Sequence, residues 1–156
     1  MKPELQLSLQ FADASHREHL PRHRVLRCVR AALAHPAQIT VRIVGAAEGR
    51  RLNRDYRQQD NATNVLTFDY QHAPLVLADL ILCAPVVARE ARQQRLPLAD
   101  HYAHLLVHGT LHAQGFDHQT EAEAAVMEAR ESEILLAMKI ADPYRTSAHM
   151  SAHERP

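Results

Sequence analysis

Three histidines lie close together between residues 108 and 118, a stretch that reads HGTLHAQGFDH. On a helix, His108 and His112 stand one turn apart on the same face, about 6 Å apart along the axis. Gly115 favours the left-handed conformation that ends a helix, which lets the chain turn back and bring His118 toward the other two. Three neutral imidazoles with one open position are typical of a catalytic zinc site. The spacing therefore predicts a metal centre with His108, His112 and His118 as its ligands.

The spacing H-x3-H-x2-G-x2-H is also that of the metzincin peptidases, in which a glutamate after the first histidine is the general base. Here that position is Gly109. The ligand spacing is kept and the proteolytic base is missing, which indicates a metal-dependent hydrolase acting on another kind of bond. A divalent ion on neutral ligands lowers the pKa of bound water to about 7 and polarises a phosphoryl oxygen, which favours a phosphodiester substrate.

The chain has twelve histidines, so the choice of three needs a reason. On the same helix, His104 lies about 12 Å along the axis from His112, too far to share an ion. It either hydrogen-bonds near the site or is simply buried, and the spacing leaves both open. The histidines without ligand spacing are expected at the surface: His16, His19, His23, His35, His72, His149 and His153.

The amino-acid composition argues against several classes of protein. The net charge is zero, which argues against a generic nucleic-acid binder, although ten arginines fall between Arg17 and Arg57 and could face phosphates or coat solvated helices. With three phenylalanines, four tyrosines and no tryptophan, a stacking-based RNA-binding module is disfavoured. No apolar run suits a membrane span or a signal peptide, so we expect a cytoplasmic protein without a membrane partner.

Hydrophobic periodicity predicts strands and helices in mixed order. The predicted strands are residues 5–11, 39–44, 65–70 and 75–83. The predicted helices are residues 16–34, a segment carrying Leu52 and Tyr56, a segment starting near Pro85, the histidine helix up to about Gln114, and a last helix with the capping box Thr120 and Glu123. This order predicts an α+β fold, a single domain with a roughly four-stranded mixed sheet packed by helices, in which the metal site lies on a helix and the following turn. The domain is expected at 1–145, and residues 146–156 are expected to form a mobile tail.

The histidine motif and several other stretches resemble the YbeY family, the bacterial single-strand-specific metallo-endoribonucleases that mature ribosomal RNA. The motif fits the family signature HGxLHxxGxDH. Residues 52–60 (LNRDYRQQD), 63–68 (TNVLTF) and 142–144 (DPY) are similar to other parts of the family pattern. Further positions at the family's spacing are Ala103, His104, Leu105, Met127, Glu131, Ile134 and Leu135.

The resemblance implies a zinc-dependent endoribonuclease, with one zinc ion or another divalent transition metal per chain. Its substrate would be single-stranded RNA in ribosomal RNA precursors, with maturation of the 16S rRNA 3′ end and a part in ribosome quality control. The small ribosomal subunit and assembly factors would be its partners. The resemblance also implies a metal cleft between the histidine helix and the strand region after Asn64.

Two further residues are candidates for catalysis. The resemblance nominates Arg57, whose guanidinium would stabilise the negative charge that gathers on the phosphorus in the transition state. Asp117 adjoins His118 and would accept a proton, orient His118 or cap the turn. Two other functions stay open: a metallopeptidase, disfavoured by Gly109, and a non-catalytic ribosome-assembly factor with a structural zinc, disfavoured by an open three-ligand site.

Overall fold

Five helices and four strands make up the part of the chain, residues 3–140, that the computed structural model describes. In chain order they are β1 (Leu5–Phe11), α1 (Arg22–Ala31), β2 (Ala37–Val44), α2 (Ala46–Arg57), β3 (Val65–Gln71), β4 (Val76–Cys83), α3 (Ala84–Gln94), α4 (Leu98–Ala113) and α5 (Glu121–Ala137). The predicted α+β fold with a four-stranded mixed sheet is confirmed. The tail predicted at 146–156 and the DPY stretch at 142–144 lie outside the described residues.

The strands form one sheet in the order β1-β2-β4-β3. β1 and β2 run parallel, as do β2 and β4, whereas β3 pairs antiparallel with β4 and forms an edge of the sheet. Side chains alternate between the two faces, as they must along a strand. One face is apolar and buried, with Leu7, Ile39 and Leu80 among its residues, and packs into the main core.

α4 is the helix around which the core is built, since it packs against α1, α3, α5, β3 and β4. It comes so close to the sheet that a Cβ atom at Gly109 would lie 3.2 Å from a Leu80 methyl carbon and 3.5 Å from the Thr67 hydroxyl. A larger side chain at this position would require the Leu80 methyl groups to shift by a few tenths of an ångström, so glycine suits the close approach of α4 to the sheet. Among the described residues, no helix is both long and apolar enough to cross a membrane.

The helix predicted at residues 16–34 is wrong in its extent. A short 3-10 turn covers Arg17–His19, and α1 begins only after Pro21, which has extended backbone angles. The cause is local, because the residue before a proline is pushed out of the helical region, and Leu20 has φ −131° and ψ 54°. At the other end of the domain, the predicted capping box is present: the Thr120 hydroxyl accepts from the Glu123 N–H, and the Glu123 carboxylate accepts from the Thr120 N–H.

Candidate active site

His108, His112 and His118 come together at the C-terminal end of α4. Each offers one ring nitrogen, and the three nitrogens lie within 4.8 Å of one another. The ring centroids are 5.1 Å apart for His108 and His112, and 4.8 Å apart for His112 and His118. Since zinc–nitrogen bonds measure about 2.0–2.1 Å, two nitrogens on one tetrahedral zinc ion lie about 3.3 Å apart. Small ring rotations would suffice for all three imidazoles to reach one ion.

Gly115 supplies the turn that returns the chain to the site. The helix closes with a hydrogen bond from the Gly115 N–H to the His112 carbonyl, and Gly115 itself has a φ of +100°. Residues other than glycine are strained at a positive φ of this size. A Cβ atom at this position would also lie 3.2 Å from the His72 Nδ1 atom. Glycine is therefore required both by the backbone and by the space available.

Glu131 on α5 is a residue of this site for which no role was predicted from the sequence. Its side chain is fully buried, and Oε1 lies 2.5 Å from His108 Nδ1 and 3.5 Å from His104 Nε2. These three residues are near enough to suggest a second metal group. However, two ligand atoms on one zinc ion would lie about 3.3 Å apart, so a separation of 2.5 Å indicates a hydrogen bond rather than a shared ion.

The hydrogen bond to Glu131 fixes the orientation of His108. An ionised carboxylate only accepts hydrogen bonds, so His108 donates through Nδ1 and keeps its Nε2 lone pair for another partner. His104 lies against the same carboxylate and is therefore next to the site. This position agrees with the first of the two interpretations of its spacing, in which His104 makes a polar contact near the site. Two features of the sequence singled out Glu131: it stands at the spacing of the YbeY family, and it falls midway between the buried Met127 and Leu135, at the helical spacing of core residues.

The triad opens onto a cleft of about 580 Å³. One wall consists of α4 and the turn after it, and the other of β3 and the end of α2. His72, predicted only as a surface residue, is exposed but lines this cleft, where its Nε2 lies 2.7 Å from the Asp69 carboxylate. The remaining lining residues that concern the chemistry are Arg57, Asn64, Thr67, His108, His112, Asp117 and His118.

Arg57, the last residue of α2, lies at the rim of this cleft. Its Nη2 atom donates to the Thr67 carbonyl at 2.5 Å, and its guanidinium carbon lies 5.8 Å from the centre of the Phe68 ring. No carboxylate among the described residues is within ion-pair distance of it, so its charge is available to an anion in the cleft.

Asp117 lies in the turn between Gly115 and His118. Its Oδ1 atom accepts a hydrogen bond from the His118 N–H at 2.7 Å, which caps the turn. Within residues 3–140, Oδ2 has no hydrogen-bond partner, and the side chain lines the cleft. The geometry leaves one carboxylate oxygen free for a further role.

Comparisons with known proteins show the family of the chain. The family model described as "Endoribonuclease YbeY" matches residues 6–139. A protein named Endoribonuclease YbeY from Methylibium petroleiphilum is 72% identical over 143 residues, covering 92% of this chain and 96% of that protein. One from Acidovorax sp. (strain JS42), with the same name, is 64% identical over 146 residues, covering 90% and 96%. The chain belongs to the YbeY endoribonuclease family.

Membership in the YbeY family makes the chain an endoribonuclease, a hydrolase whose substrate is RNA. The fold also occurs in the solution structure of TM1509 from Thermotoga maritima, with a TM-score of 0.58 and 20% identity, covering 86% of this chain and 92% of that chain. At this identity the likeness concerns the fold alone.

Two titratable groups at the site of this YbeY-family chain have pKa values below their ordinary values. Burial lowers the pKa of the His112 imidazole, and the neighbouring His108 and His118 rings lower it further, which favours the neutral form that binds metals. Behind the cleft wall, Glu90 accepts hydrogen bonds from Asn64 and His101. Burial acts to raise the pKa of Glu90, but these hydrogen bonds outweigh it and hold that pKa below its ordinary value.

Most of the arginines between Arg17 and Arg57 have structural partners and do not form an open basic surface. Arg22 and Arg27 donate to backbone carbonyls, and Arg24, Arg42 and Arg50 pair with Asp100, Glu48 and Asp60. Of the ten, Arg57 is the one that lines the cleft.

Proposed function

We propose that the chain is a zinc-dependent endoribonuclease specific for single-stranded RNA that matures ribosomal RNA precursors in the cytoplasm. The observation that carries the proposal is the three-histidine cluster on the wall of a cleft that also contains an unpaired arginine. The 16S rRNA 3′ end as its target, a part in ribosome quality control, and the small ribosomal subunit and assembly factors as its partners rest on the family resemblance.

His108, His112 and His118 would hold one zinc ion or another divalent transition metal. The donor set fits such an ion, because three imidazoles are grouped at the end of one helix and Glu131 directs His108 through its other nitrogen. When bound, the ion supplies a concentrated positive charge that polarises a phosphoryl oxygen and makes water more acidic.

The other side chains of the cleft would act on the substrate directly. Arg57 is held at the rim by the Thr67 carbonyl, and its remaining N–H groups can donate to the non-bridging oxygens of the scissile phosphate. The interaction strengthens as negative charge grows on those oxygens, which favours the transition state over the ground state. The free oxygen of Asp117 would accept the proton released by the attacking nucleophile.

A metallopeptidase would share the histidine spacing but needs a base at the position of Gly109. A Cβ atom at that position would lie 3.2 Å from a Leu80 methyl carbon, so a side chain there would require Leu80 to shift. The missing base therefore supports cleavage of RNA over cleavage of peptides.

The test compares metal-loaded protein on single-stranded RNA, duplex RNA and unstructured peptides, before and after removal of the metal with a chelator. We expect cleavage of single-stranded RNA only, loss of cleavage on chelation, and recovery on addition of zinc. If the protein cleaves peptides and leaves RNA intact, both with and without small ribosomal subunits, the peptidase function would replace the proposed one.

A further inference from the structure

Two exposed aromatic rings lie on a surface next to the cleft. The most exposed large hydrophobic side chains in the described part of the chain are Tyr56 and Tyr70, each with 66% of its surface accessible. The few aromatic residues in the composition argued against stacking of RNA bases. The structure weakens that argument, because the exposed rings lie together on one surface.

Both tyrosine rings are held in place. Tyr56, in the last turn of α2, packs edge-on against Phe68 of β3, with ring centroids 5.3 Å apart at an interplanar angle of 77°. The Tyr70 hydroxyl donates to the Asp79 carboxylate at 2.8 Å. A ring that is already fixed loses little conformational freedom when a partner stacks on it, which favours binding.

Arg57 joins this surface to the cleft. Strand alternation places Phe68 on the opposite face of β3 from Thr67, which faces α4. Arg57 spans the edge of β3: it donates to the Thr67 carbonyl and lies over the Phe68 ring. A strand whose phosphate is bound by Arg57 would therefore meet the Tyr56 ring as it leaves the cleft.

The surface beyond Tyr70 is polar and open. A shallow cavity of about 480 Å³ lies on this face of the sheet, which the helices leave uncovered there. Its hydroxyl and amide side chains could donate to and accept from the edges of unpaired bases. They are Gln6, Ser8, Gln38 and Thr40, and the cavity also contacts Tyr70 and Asp79.

We propose that the exposed rings of Tyr56 and Tyr70, with the half-buried Phe68 supporting Tyr56, form a subsite, here called the aromatic platform, that stacks the bases of single-stranded RNA flanking the scissile phosphate. The proposal rests on the RNA cleavage proposed above and deepens it. Stacking tolerates any base, because every base has a π face, and it requires bases that are not already stacked in a duplex. The aromatic platform would thus account for a preference for single strands without a preference for sequence.

The experiment combines a change in the protein with a change in the RNA. A single-stranded RNA is prepared in versions that lack one base at each position around the cleavage site, and KM and kcat are measured for wild type and Tyr56→Ala. In wild type, removal of the stacked base should raise KM about tenfold or more, as expected for the loss of one stacked base. Tyr56→Ala should raise KM on intact RNA by a similar factor, and the missing base should then cost nothing more.

Two variants serve as controls. Tyr56→Phe retains the ring and should keep the KM penalty for the missing base, which Tyr56→Ala loses. Val126→Ala changes a similarly exposed apolar side chain on α5, 61% accessible, and should leave KM unchanged. Measurements of metal content and circular dichroism would establish that Tyr56→Ala is folded.

The outcomes separate the two proposals. If wild type cuts RNA and Tyr56→Ala has the wild-type KM, or the penalty for the missing base persists in Tyr56→Ala, the aromatic platform is not the subsite. If wild type does not cut RNA in any version, the proposed function itself has failed.

Discussion

Arg57 has a charge that no described carboxylate neutralises, at the rim of a cleft that contains three histidines. An arginine about two turns earlier on α2 differs in this respect, since Arg50 makes a two-pronged ion pair with Asp60 at 2.7 and 2.9 Å. The two residues are the same in type and helix but not in environment, which makes Arg50 a suitable control for Arg57.

Arg57→Ala should lower kcat by about 10²-fold while the metal content and the fold stay unchanged, a typical loss for one electrostatic stabiliser of the transition state. Arg57→Lys should recover only part of the rate, because an ammonium keeps the charge but cannot hold two phosphate oxygens in one plane. The measurement is single-turnover cleavage at saturating RNA.

Arg50→Ala serves as the matched control and should cleave at the wild-type rate. A wild-type rate for Arg57→Ala at saturating RNA, with only KM raised, would show that Arg57 attracts RNA and takes no part in the chemical step.

At the scale of elements, the histidine cluster depends on the contact between two helices. α4 supplies His108 and His112, but the orientation of His108 comes from Glu131 on α5. The carboxylate is fully buried, so its position follows from the packing of α5 and not from solvent.

Glu131→Gln should lower the affinity for zinc about 10–100-fold, the usual cost of losing a carboxylate that orients a ligand histidine. The amide is similar in size and can still accept a hydrogen bond, but it has no negative charge to raise the basicity of His108. Competition with a chromophoric chelator measures the affinity directly. The matched control is Glu128→Gln on the exposed side of the same helix, and an unchanged zinc affinity in Glu131→Gln would remove Glu131 from this role.

Structural features that depend on a few neighbouring residues were predicted correctly from the sequence. The capping box at Thr120, the alternation of β1 and the glycine after α4 each follow from a few neighbouring residues, and the structure has all three. The helix predicted at 16–34 was wrong because its apolar periodicity runs through Pro21, whose steric effect on the preceding residue outweighs the periodicity.

Residues brought together by tertiary packing were harder to predict. Glu131 lies 23 positions after His108, and no local pattern pairs them. His72 was expected only at the surface, and its position beside Gly115 arises from the way the β3–β4 connection faces the end of α4. The three histidines were predictable because they occupy one helix and its turn, so their geometry is almost wholly local.

Across the whole molecule, the edge strand β3 separates two surfaces with different chemistry. Its Thr67 side faces α4 and the histidine cluster, and its Phe68 side carries the aromatic platform. Arg57 is in contact with both. In this arrangement one side of an edge strand would hold the reacting phosphate and the other would hold the flanking bases.

The central claim, that the histidine cluster holds the metal on which RNA cleavage depends, is tested most directly by measuring metal content and RNA cleavage on the same preparations of three proteins. Wild type and His35→Ala, which changes an exposed histidine on the loop before β2, should each contain one zinc per chain and cut single-stranded RNA. His112→Ala should lose both the stoichiometric metal and the cleavage while remaining folded. Full metal content in His112→Ala, or RNA cleavage at the wild-type rate without it, would contradict the account.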